Sequence, residues 1–230
     1  MLMQAKLIQA VDLAPGVRHF SFEVEDGQPL HFVPGQFVSL KHVLQGEEYT
    51  RAYSVASAPD GSRFDLCLNL VPGGLFSAYL FALKPGDRVE FTPPLGFFTL
   101  RNTDRDILLV GTGTGIAPFR SMLASHIARL KKPVTLLFGT RYEGSILYRS
   151  EFEELERAHP HFQFWPTLTR PHAEWKDRTG RVQSHLDEAL GGRTDLDVYL
   201  CGLKEMVDDM RRQLKARGFD RRRIVYEKYD

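Results

Sequence analysis

The chain has 230 residues, of which 43% are hydrophobic and 26% are charged, and its formal net charge is +1. This composition is close to the globular average, so it excludes a disordered or low-complexity chain, and the near-zero charge argues against a dedicated nucleic-acid binder. The first 100 residues carry 7 basic and 10 acidic side chains, whereas the rest carry 23 and 19. Because the length allows two compact domains, we expect two units that bind different ligands.

The cysteine content indicates a reducing, intracellular setting. Cys67 and Cys201 are too few for an iron–sulfur cluster, a Cys₄ zinc site or a disulfide framework. The eight histidines show no ligand spacing, so we predict no metal site. The opening residues lack the pattern of a secretory signal, and no apolar run approaches the 18–20 or so residues that cross a bilayer. We therefore expect a cytoplasmic protein without a membrane span.

The first hundred residues are predicted to form short strands separated by turns. Hydrophobic and polar residues alternate in three segments, 17–25, 36–43 and 63–71. Turn signals lie between the segments, at Pro34-Gly35, Pro59-Asp60-Gly61, Pro72-Gly73-Gly74 and Pro85-Gly86-Asp87. Regularly spaced short strands predict an antiparallel barrel or sandwich. Only the segment from Gly74 to Leu83 has a helical pattern.

From about residue 106 the pattern changes to apolar strands that alternate with helix-length segments. The predicted strands are 107–111, 134–139, 162–169, 198–202 and 223–229, and the predicted helices are 118–130, 148–158, 181–190 and 204–217. This alternation is typical of an α/β domain with a parallel sheet, here of five strands, covered on both faces. We predict two domains, 1–101 and 102–230, whose boundary lies in a polar stretch without an apolar pattern.

The segment GTGTGIAP (111–118) directly follows an apolar strand and precedes a helix. Glycines lack a Cβ, so backbone N–H groups can approach a phosphate closely, and a helix N-terminus adds a favourable dipole. Pro118 suits the first helical turn. The spacing is G-x-G-x-G and differs from the dinucleotide fingerprint G-x-G-x-x-G. We favour a phosphate-binding loop over an ordinary glycine-rich turn.

Three arginines near the ends of neighbouring strands favour NADP over NAD. In NAD sites an acidic residue after the second strand binds the ribose 2′-hydroxyl, whereas here that strand is followed by Arg141. A guanidinium binds phosphate with two hydrogen bonds, and Arg170 and Arg181 follow the next strand. Each arginine alone could be an ordinary surface side chain, but together they suit a 2′-phosphate.

In the first half, the segment RAYS (51–54), placed at the start of a predicted strand, holds a cation, an aromatic ring and a hydroxyl within four residues. Side chains alternate along a strand, so Arg51 and Tyr53 would share one face and Ala52 and Ser54 the other. The segment GGLFS (73–77) opens the predicted helix and offers a second anion-binding N-terminus. An exposed turn with a helix cap at Ser77 explains these residues equally well by chemistry alone.

Several motifs together resemble the ferredoxin–NADP⁺ reductase family. They are RAYS, GGLFS, GTGTGIAPFRSM, YLCGLKEM and the C-terminal YEKYD, and they occur in the family's order and spacing from about residue 34 to the C-terminus. GTGTGIAPFRS and CGLKEM are similar to the plant-type reductases, whereas RAYSVASAPDG is similar to the bacterial ferredoxin/flavodoxin reductases. Plant-type chains end at a tyrosine, whereas here Asp230 follows Tyr229.

The resemblance implies an N-terminal FAD-binding antiparallel β-barrel and a C-terminal NADP-binding α/β domain. It implies electron transfer between NADP(H) and ferredoxin or flavodoxin through FAD. By the same resemblance, FAD would be bound by Arg51, Ala52, Tyr53, Ser54, Gly74, Leu75, Phe76, Ser77, Thr114 and Tyr229. NADP(H) would be bound by Gly113, Thr114, Arg141, Tyr142, Arg170, Arg181, Cys201 and Gly202. The catalytic residues would be Ser54, Cys201, Glu227 and Tyr229.

Two alternative functions stay open at this stage. One is a reductase component of an oxygenase, or a free-flavin reductase, on the same scaffold, and such enzymes often use NADH. The other is a nucleotide-binding subunit of a larger redox complex that does not turn over alone. Cys201 could also be an ordinary small buried residue. The basic residues between Arg211 and Arg223 could bind an acidic electron carrier or simply face solvent. We expect a monomer.

Overall fold

The computed structural model describes residues 2–229, without the side chain of Asp26, and divides the chain into two units. One unit comprises Met1–Leu100 with Ala117–Ser125, and the other comprises Arg101–Ile116 with His126–Asp230. Asp230, which follows Tyr229 in the sequence, lies outside the described residues. Each unit has its own sheet and its own hydrophobic core.

The sheet of the first unit has, within residues 2–229, six antiparallel strands in the order β4-β3-β6-β1-β2-β5. The strands are β1 (Met3–Ala14), β2 (Val17–Val24), β3 (Phe37–Leu44), β4 (Glu47–Ser54), β5 (Arg63–Asn69) and β6 (Arg88–Phe91). Beyond the end of β4, Val55 forms a bridge with Leu66, and the Ala56 N–H donates to the Asp65 carbonyl at 2.8 Å. These bonds join the two edge strands, and the sheet closes into the predicted barrel.

Three barrel strands and the helix lie where the sequence places them, but one placement was wrong. The segments 17–25, 36–43 and 63–71 correspond to β2, β3 and β5, and the predicted helix is α1 (Leu75–Ala82). The segment RAYS ends β4 instead of beginning a strand. Along β4 only Ser54 is fully buried, so no alternation of apolar residues marks where this strand begins. For the same reason β1, in which few residues are buried, was missed.

Stacked aromatic side chains fill the barrel interior. Phe22 and Phe64 have ring centroids 5.4 Å apart, and Phe64 and Phe91 have centroids 5.1 Å apart. Helix α1 adds Phe76 and Leu80, both buried, to this core. Burial of each such side chain stabilises the fold by roughly 1.5–3 kcal/mol, so the core holds β4 and α1 in fixed positions.

The sheet of the second unit is parallel, and over the described residues its order is β10-β9-β8-β7-β11-β12. The strands are β7 (Ile107–Thr112), β8 (Val134–Thr140), β9 (Phe162–Leu168), β10 (Arg178–Thr179), β11 (Asp197–Leu203) and β12 (Ile224–Tyr229). The helices are α2 (Ala117–His126), α3 (Arg149–Ala158), α4 (Leu186–Leu190) and α5 (Lys204–Ala216). None of the helices within residues 2–229 combines the length and apolar character that a bilayer span requires.

All five strands predicted for this sheet are present, and the structure adds a sixth. The addition is β10, whose two residues pair with the end of β9 and are too few to produce a periodic pattern. From β7 the chain proceeds to β8 and β9 on one side, whereas β11 and β12 lie on the other side. In open α/β sheets, ligands bind at the carboxyl ends of the strands where the strand order reverses. Here that point lies between β7 and β11.

Helix α2 is attached to the barrel through polar contacts that the sequence analysis did not foresee. Arg120 donates from Nη1 to the Ala56 carbonyl at 3.0 Å and to Asp65 Oδ2 at 3.2 Å. Asp65 Oδ1 also accepts from the Ser21 hydroxyl at 2.8 Å. The Ser121 hydroxyl donates to the Ser57 carbonyl at 2.5 Å. Because the Arg120 and Asp65 side chains are only about one-fifth exposed, these bonds are partly shielded from solvent.

We expect Asp65→Ala to lower the free energy of unfolding by about 1–3 kcal/mol, because the partly buried Arg120 and Ser21 lose their shared acceptor. Urea unfolding of the full chain, followed by circular dichroism, measures the change. The matched control is Asp12→Ala, which removes a pair with Arg18 in which the carboxylate is largely exposed and should cost less than about 1 kcal/mol. Equal effects of the two substitutions would contradict the prediction.

Candidate functional site

The carboxyl ends of β7 and β11 approach each other so closely that two glycines are required. A Cβ on Gly115 would lie 2.4 Å from the Cys201 carbonyl oxygen, and one on Gly202 would lie 2.4 Å from Thr112 Oγ1. Gly202 also has φ of +144°, a conformation that favours glycine. Among the described residues, the buried Thr112 Oγ1 has no hydrogen-bond partner.

The two remaining loop residues of the predicted NADP site lie at the same place. Gly113 has a positive φ of 55° and begins a short 3₁₀ turn, and Thr114 in that turn is 7% exposed. Helix α2 begins at Ala117 with Pro118 in its first turn, as predicted. Backbone atoms without a covering Cβ and a buried polar atom without a partner suit the close approach of a nucleotide.

Three of the predicted catalytic residues come together at the ends of β11 and β12. Cys201 is directly opposite Glu227 in the pairing of the two strands, and the Tyr229 hydroxyl forms a hydrogen bond with the Cys201 sulfur. Burial, with a smaller contribution from the Glu227 charge, raises the pKa of the fully buried Cys201 thiol well above its usual value. Burial therefore favours the protonated thiol, a form that does not suit a nucleophile.

The arginines predicted to bind the 2′-phosphate lie at the carboxyl ends of the strands on the other side of β7. Arg141 directly follows β8, and the Arg170 N–H donates to the Arg141 carbonyl at 2.9 Å. Arg170 also donates from Nη1 to the Tyr142 hydroxyl at 3.2 Å, and the Tyr142 side chain is half exposed. Arg181 is exposed and follows β10. Residues after β8 and β9 thus form one exposed basic surface.

In the first unit, the RAYS segment presents its residues at the end of β4. Arg51 is exposed, and its guanidinium carbon lies 5.8 Å from the centroid of the Tyr49 ring. Tyr53 lies on the same face, and burial raises its pKa to about 12. Ala52 and Ser54 lie on the other face, with Ala52 exposed and Ser54 buried.

The second predicted FAD-binding segment forms the N-terminus of α1. Gly74 precedes the helix, Leu75 is exposed, and Phe76 and Ser77 are buried. The Ser77 hydroxyl accepts from the Val71 N–H at 3.0 Å and donates to the Gly74 carbonyl at 3.2 Å. This hydroxyl stabilises the turn before the helix, so the first N–H groups of α1, which lack partners within a helix, are the groups offered to an anion.

Tyr49 connects the two segments that are predicted to bind FAD, and it was missed by the sequence analysis. Its ring stacks on Phe76 of α1 with centroids 6.4 Å apart, while Arg51 lies over the same ring. The guanidinium and the helix N-terminus are therefore brought to one region of the barrel surface. Tyr49 alternates with Arg51 and Tyr53 along the strand, but a shared face alone does not reveal which helix the face contacts.

The basic segment near the C-terminus is largely paired with acidic neighbours. Arg211 pairs with Asp208 and stacks over Tyr226, with 3.7 Å between the guanidinium carbon and the ring centroid. Arg222 pairs with Asp220. Two further basic residues of the segment also pair, Arg212 with Asp209 and Arg217 with Asp187. Much of the positive charge that the sequence offers for an acidic partner is therefore compensated within the unit.

Comparison with known proteins assigns a family. An oxidoreductase FAD-binding domain model matches residues 4–100, and an oxidoreductase NAD-binding domain model matches residues 109–212. The chain is 40% identical to ferredoxin–NADP reductase B of Sorangium cellulosum, over 99% of this chain and 97% of that protein. It is 30% identical to the toluate 1,2-dioxygenase electron transfer component of Pseudomonas putida, over 98% of this chain and 67% of that protein.

A solved structure supports the same assignment. The crystal structure of the Amycolatopsis cytochrome P450 reductase GcoB superposes with a TM-score of 0.87 at 32% identity, covering 99% of this chain and 69% of that one. The matched domains, the closed barrel and the parallel sheet agree with the two cofactor-binding units expected from the motifs. The chain therefore belongs to the ferredoxin–NADP⁺ reductase family of FAD- and NAD(P)-binding oxidoreductases.

Proposed function

We propose that the protein transfers electrons between NADP(H) and a ferredoxin or flavodoxin through FAD. The observation that carries this proposal is the pair of exposed arginines Arg141 and Arg170, whose backbones are joined by a hydrogen bond, because guanidinium groups suit a 2′-phosphate. The relative named ferredoxin–NADP reductase B, similar over nearly its whole length, supports the choice of electron carrier. We place the FAD-binding domain at residues 1–101 and the NADP-binding domain at 102–230.

In this proposal the barrel binds FAD through the end of β4 and the start of α1. Arg51 and the backbone of the segment from Gly74 to Ser77 would hold the pyrophosphate, since a guanidinium and a helix N-terminus both favour phosphate. Tyr53 would supply a ring for stacking on the flavin, and Ser54 would supply a hydroxyl for a hydrogen bond to it.

FAD, when bound, supplies the conversion between the two-electron chemistry of NADPH and the one-electron chemistry of the carrier. The residues at the end of β7 and β11 position the nicotinamide, with Gly113, Thr114 and Gly202 as the closest backbone. Glu227, opposite Cys201 across the strand pair, would be a carrier of the proton that flavin chemistry requires, and the Ser54 hydroxyl would be a second one. Tyr229, hydrogen-bonded to Cys201, would be the aromatic residue that gives way to nicotinamide.

A reductase component of an oxygenase is the second candidate. It is favoured by the similarity to the toluate 1,2-dioxygenase component and to the Amycolatopsis P450 reductase. The two candidates differ in the electron acceptor and, by our expectation, in the nicotinamide nucleotide. We infer a monomer that acts in the cytoplasm, where reduced thiols such as Cys67 and Cys201 are the usual state.

An anaerobic titration of the FAD-loaded protein tests the proposal. We expect NADPH to bleach the visible flavin band at a much lower concentration than NADH, because only NADPH carries the phosphate that the arginines bind. Assays with oxidised ferredoxin and with oxidised flavodoxin, in which reduction of the carrier by NADPH is followed, then identify the acceptor. Bleaching by NADH at the lower concentration would instead favour the oxygenase component, and a protein that never binds FAD would overturn both candidates.

Removal of the basic surface should change nucleotide preference without changing flavin content. We expect Arg141→Ala and Arg170→Ala each to lower kcat/KM for NADPH by about tenfold, because each charge-assisted hydrogen bond contributes roughly 1.5–3 kcal/mol. The value for NADH should change less than about twofold. Arg157→Ala, an exposed arginine at the far end of α3, is the control, and an equal loss with both nucleotides would contradict the assignment.

Replacement of Glu227 tests its role as a proton carrier. We expect Glu227→Gln to slow turnover by about 10²-fold, the scale of a lost acid–base group, while the visible spectrum of bound FAD stays unchanged. Stopped-flow absorbance separates flavin reduction from later steps. Glu154→Gln, an exposed residue of α3, is the control. If the Glu227 variant turns over at the wild-type rate, Glu227 has no part in the mechanism.

A further inference from the structure

We propose that His172 is a positioning residue for the 2′-phosphate of NADP(H). It holds two loops together and compensates the negative charge of two carboxylates beside the basic surface. The proposal rests on the NADP preference inferred above and deepens it. It concerns how a phosphate dianion is accepted at a place where the chain also carries acidic side chains. The sequence analysis gave no role to His172 or to its partners.

His172 lies between two glutamates from different loops. Its Nε2 atom bonds to a carboxylate oxygen of Glu143, which belongs to the turn after β8. Its Nδ1 atom lies 2.9 Å from Oε2 of Glu174, in the loop that follows β9. The Trp175 N–H donates to the His172 carbonyl at 3.1 Å, which fixes the loop around the histidine.

Helix α3 contributes the second cation of this cluster. Arg149 donates from Nη1 to Glu143 Oε1 at 2.5 Å and from Nε to Glu153 Oε1 at 2.6 Å. Glu143 is thus bonded to a histidine on one oxygen and an arginine on the other. The charged groups that face His172 directly are therefore Glu143 and Glu174. Arg149 is connected to His172 through Glu143, and Glu153 is connected through Arg149.

The cluster belongs to the same two loops as the basic surface. Glu143 comes two residues after Arg141, and His172 comes two residues after Arg170. The backbone bond between Arg170 and Arg141 and the bond from Arg170 to Tyr142 cross the same pair of loops. A change at the His172–Glu143 contact therefore acts on the spacing of the arginines as well as on the local charge.

The pairing of Glu143 with His172 and Arg149 has a consequence for the choice between NADP and NAD. An acidic residue after the second strand is the feature that favours the ribose 2′-hydroxyl of NAD, and an unpaired Glu143 would repel a 2′-phosphate. Hydrogen bonds from His172 and Arg149 lower the pKa of Glu143, so the carboxylate is ionised and its acceptor sites are used by these cations. With Glu143 paired in this way, the neighbouring arginines can attract the phosphate.

The compensation by His172 depends on its proton. Both ring nitrogens can donate to carboxylates only in the imidazolium form. Bonds to Glu143 and then Glu174 raise the pKa of His172 above its ordinary value of 6.5, so the charged form persists to a higher pH than in an isolated histidine. As the pH rises through this raised pKa, one of the two bonds and the positive charge are lost. Affinity for a 2′-phosphate should fall over the same range.

Isothermal titration calorimetry of the FAD-loaded protein with 2′-phospho-AMP and with 5′-AMP, from about pH 6 to about pH 9, tests the proposal by binding alone. In wild type, we expect the preference for 2′-phospho-AMP to fall as the pH rises. In His172→Gln the preference for 2′-phospho-AMP should be lower by about two- to fivefold at the acidic end, the range of an exposed ion pair. The fall in preference that histidine titration causes in wild type should be nearly absent from this variant. In His172→Lys, which keeps its charge, the preference should stay high across the range.

The control is His159→Gln, a histidine at the opposite end of the sheet, between α3 and β9. Because the ligand phosphate itself titrates near pH 6 or so, the variants are compared with wild type at each pH. A wild-type preference that is retained unchanged, with the same pH profile, in His172→Gln would overturn the role of His172 alone. A wild-type protein that binds 5′-AMP as tightly as 2′-phospho-AMP at every pH would overturn the NADP preference, and the role of His172 with it.

Discussion

The backbone contact between the ends of β7 and β11 is the constraint on which the nucleotide end of the second unit depends. Where strand order reverses, the chain leaves the two adjacent strands in opposite directions and opens a crevice. Only residues without a Cβ allow Gly115 to lie against Cys201 and Gly202 against Thr112. This contact determines the position of Thr114, and the pairing of β11 with β12 places Glu227 beside Cys201.

The sequence predicts this unit almost completely because buried parallel strands are continuous apolar runs. Each predicted strand there is present, and β10 escapes notice because two residues carry no period. The barrel is harder to predict, since strands such as β4 expose most of their side chains and have no apolar alternation. That is why RAYS was placed at the wrong end of a strand. The chemistry of its residues could still be recognised from their types alone.

The residues of the candidate sites also differ in how far the sequence alone can indicate them. Motif residues such as Arg51, Arg141 and Cys201 could be proposed from the sequence because each belongs to a short recognisable segment. Tyr49, Arg120 and His172 could not, because each acts through a partner far away in the chain: Phe76, Asp65 and Glu143 respectively. A single sequence shows residue types and local spacing, whereas such pairs are created by the tertiary fold.

The polar attachment of α2 has a consequence for exchanging parts between relatives. The motif that ends in Phe119, Arg120 and Ser121 begins as a nucleotide loop of the second unit, yet its later residues bond to Ala56, Asp65 and Ser57 of the first. A chimera cut at the polar stretch near residue 101 would import a helix selected against a different barrel. A chimera made from this chain therefore has to preserve Asp65 together with Arg120, or join the parents beyond Ser125.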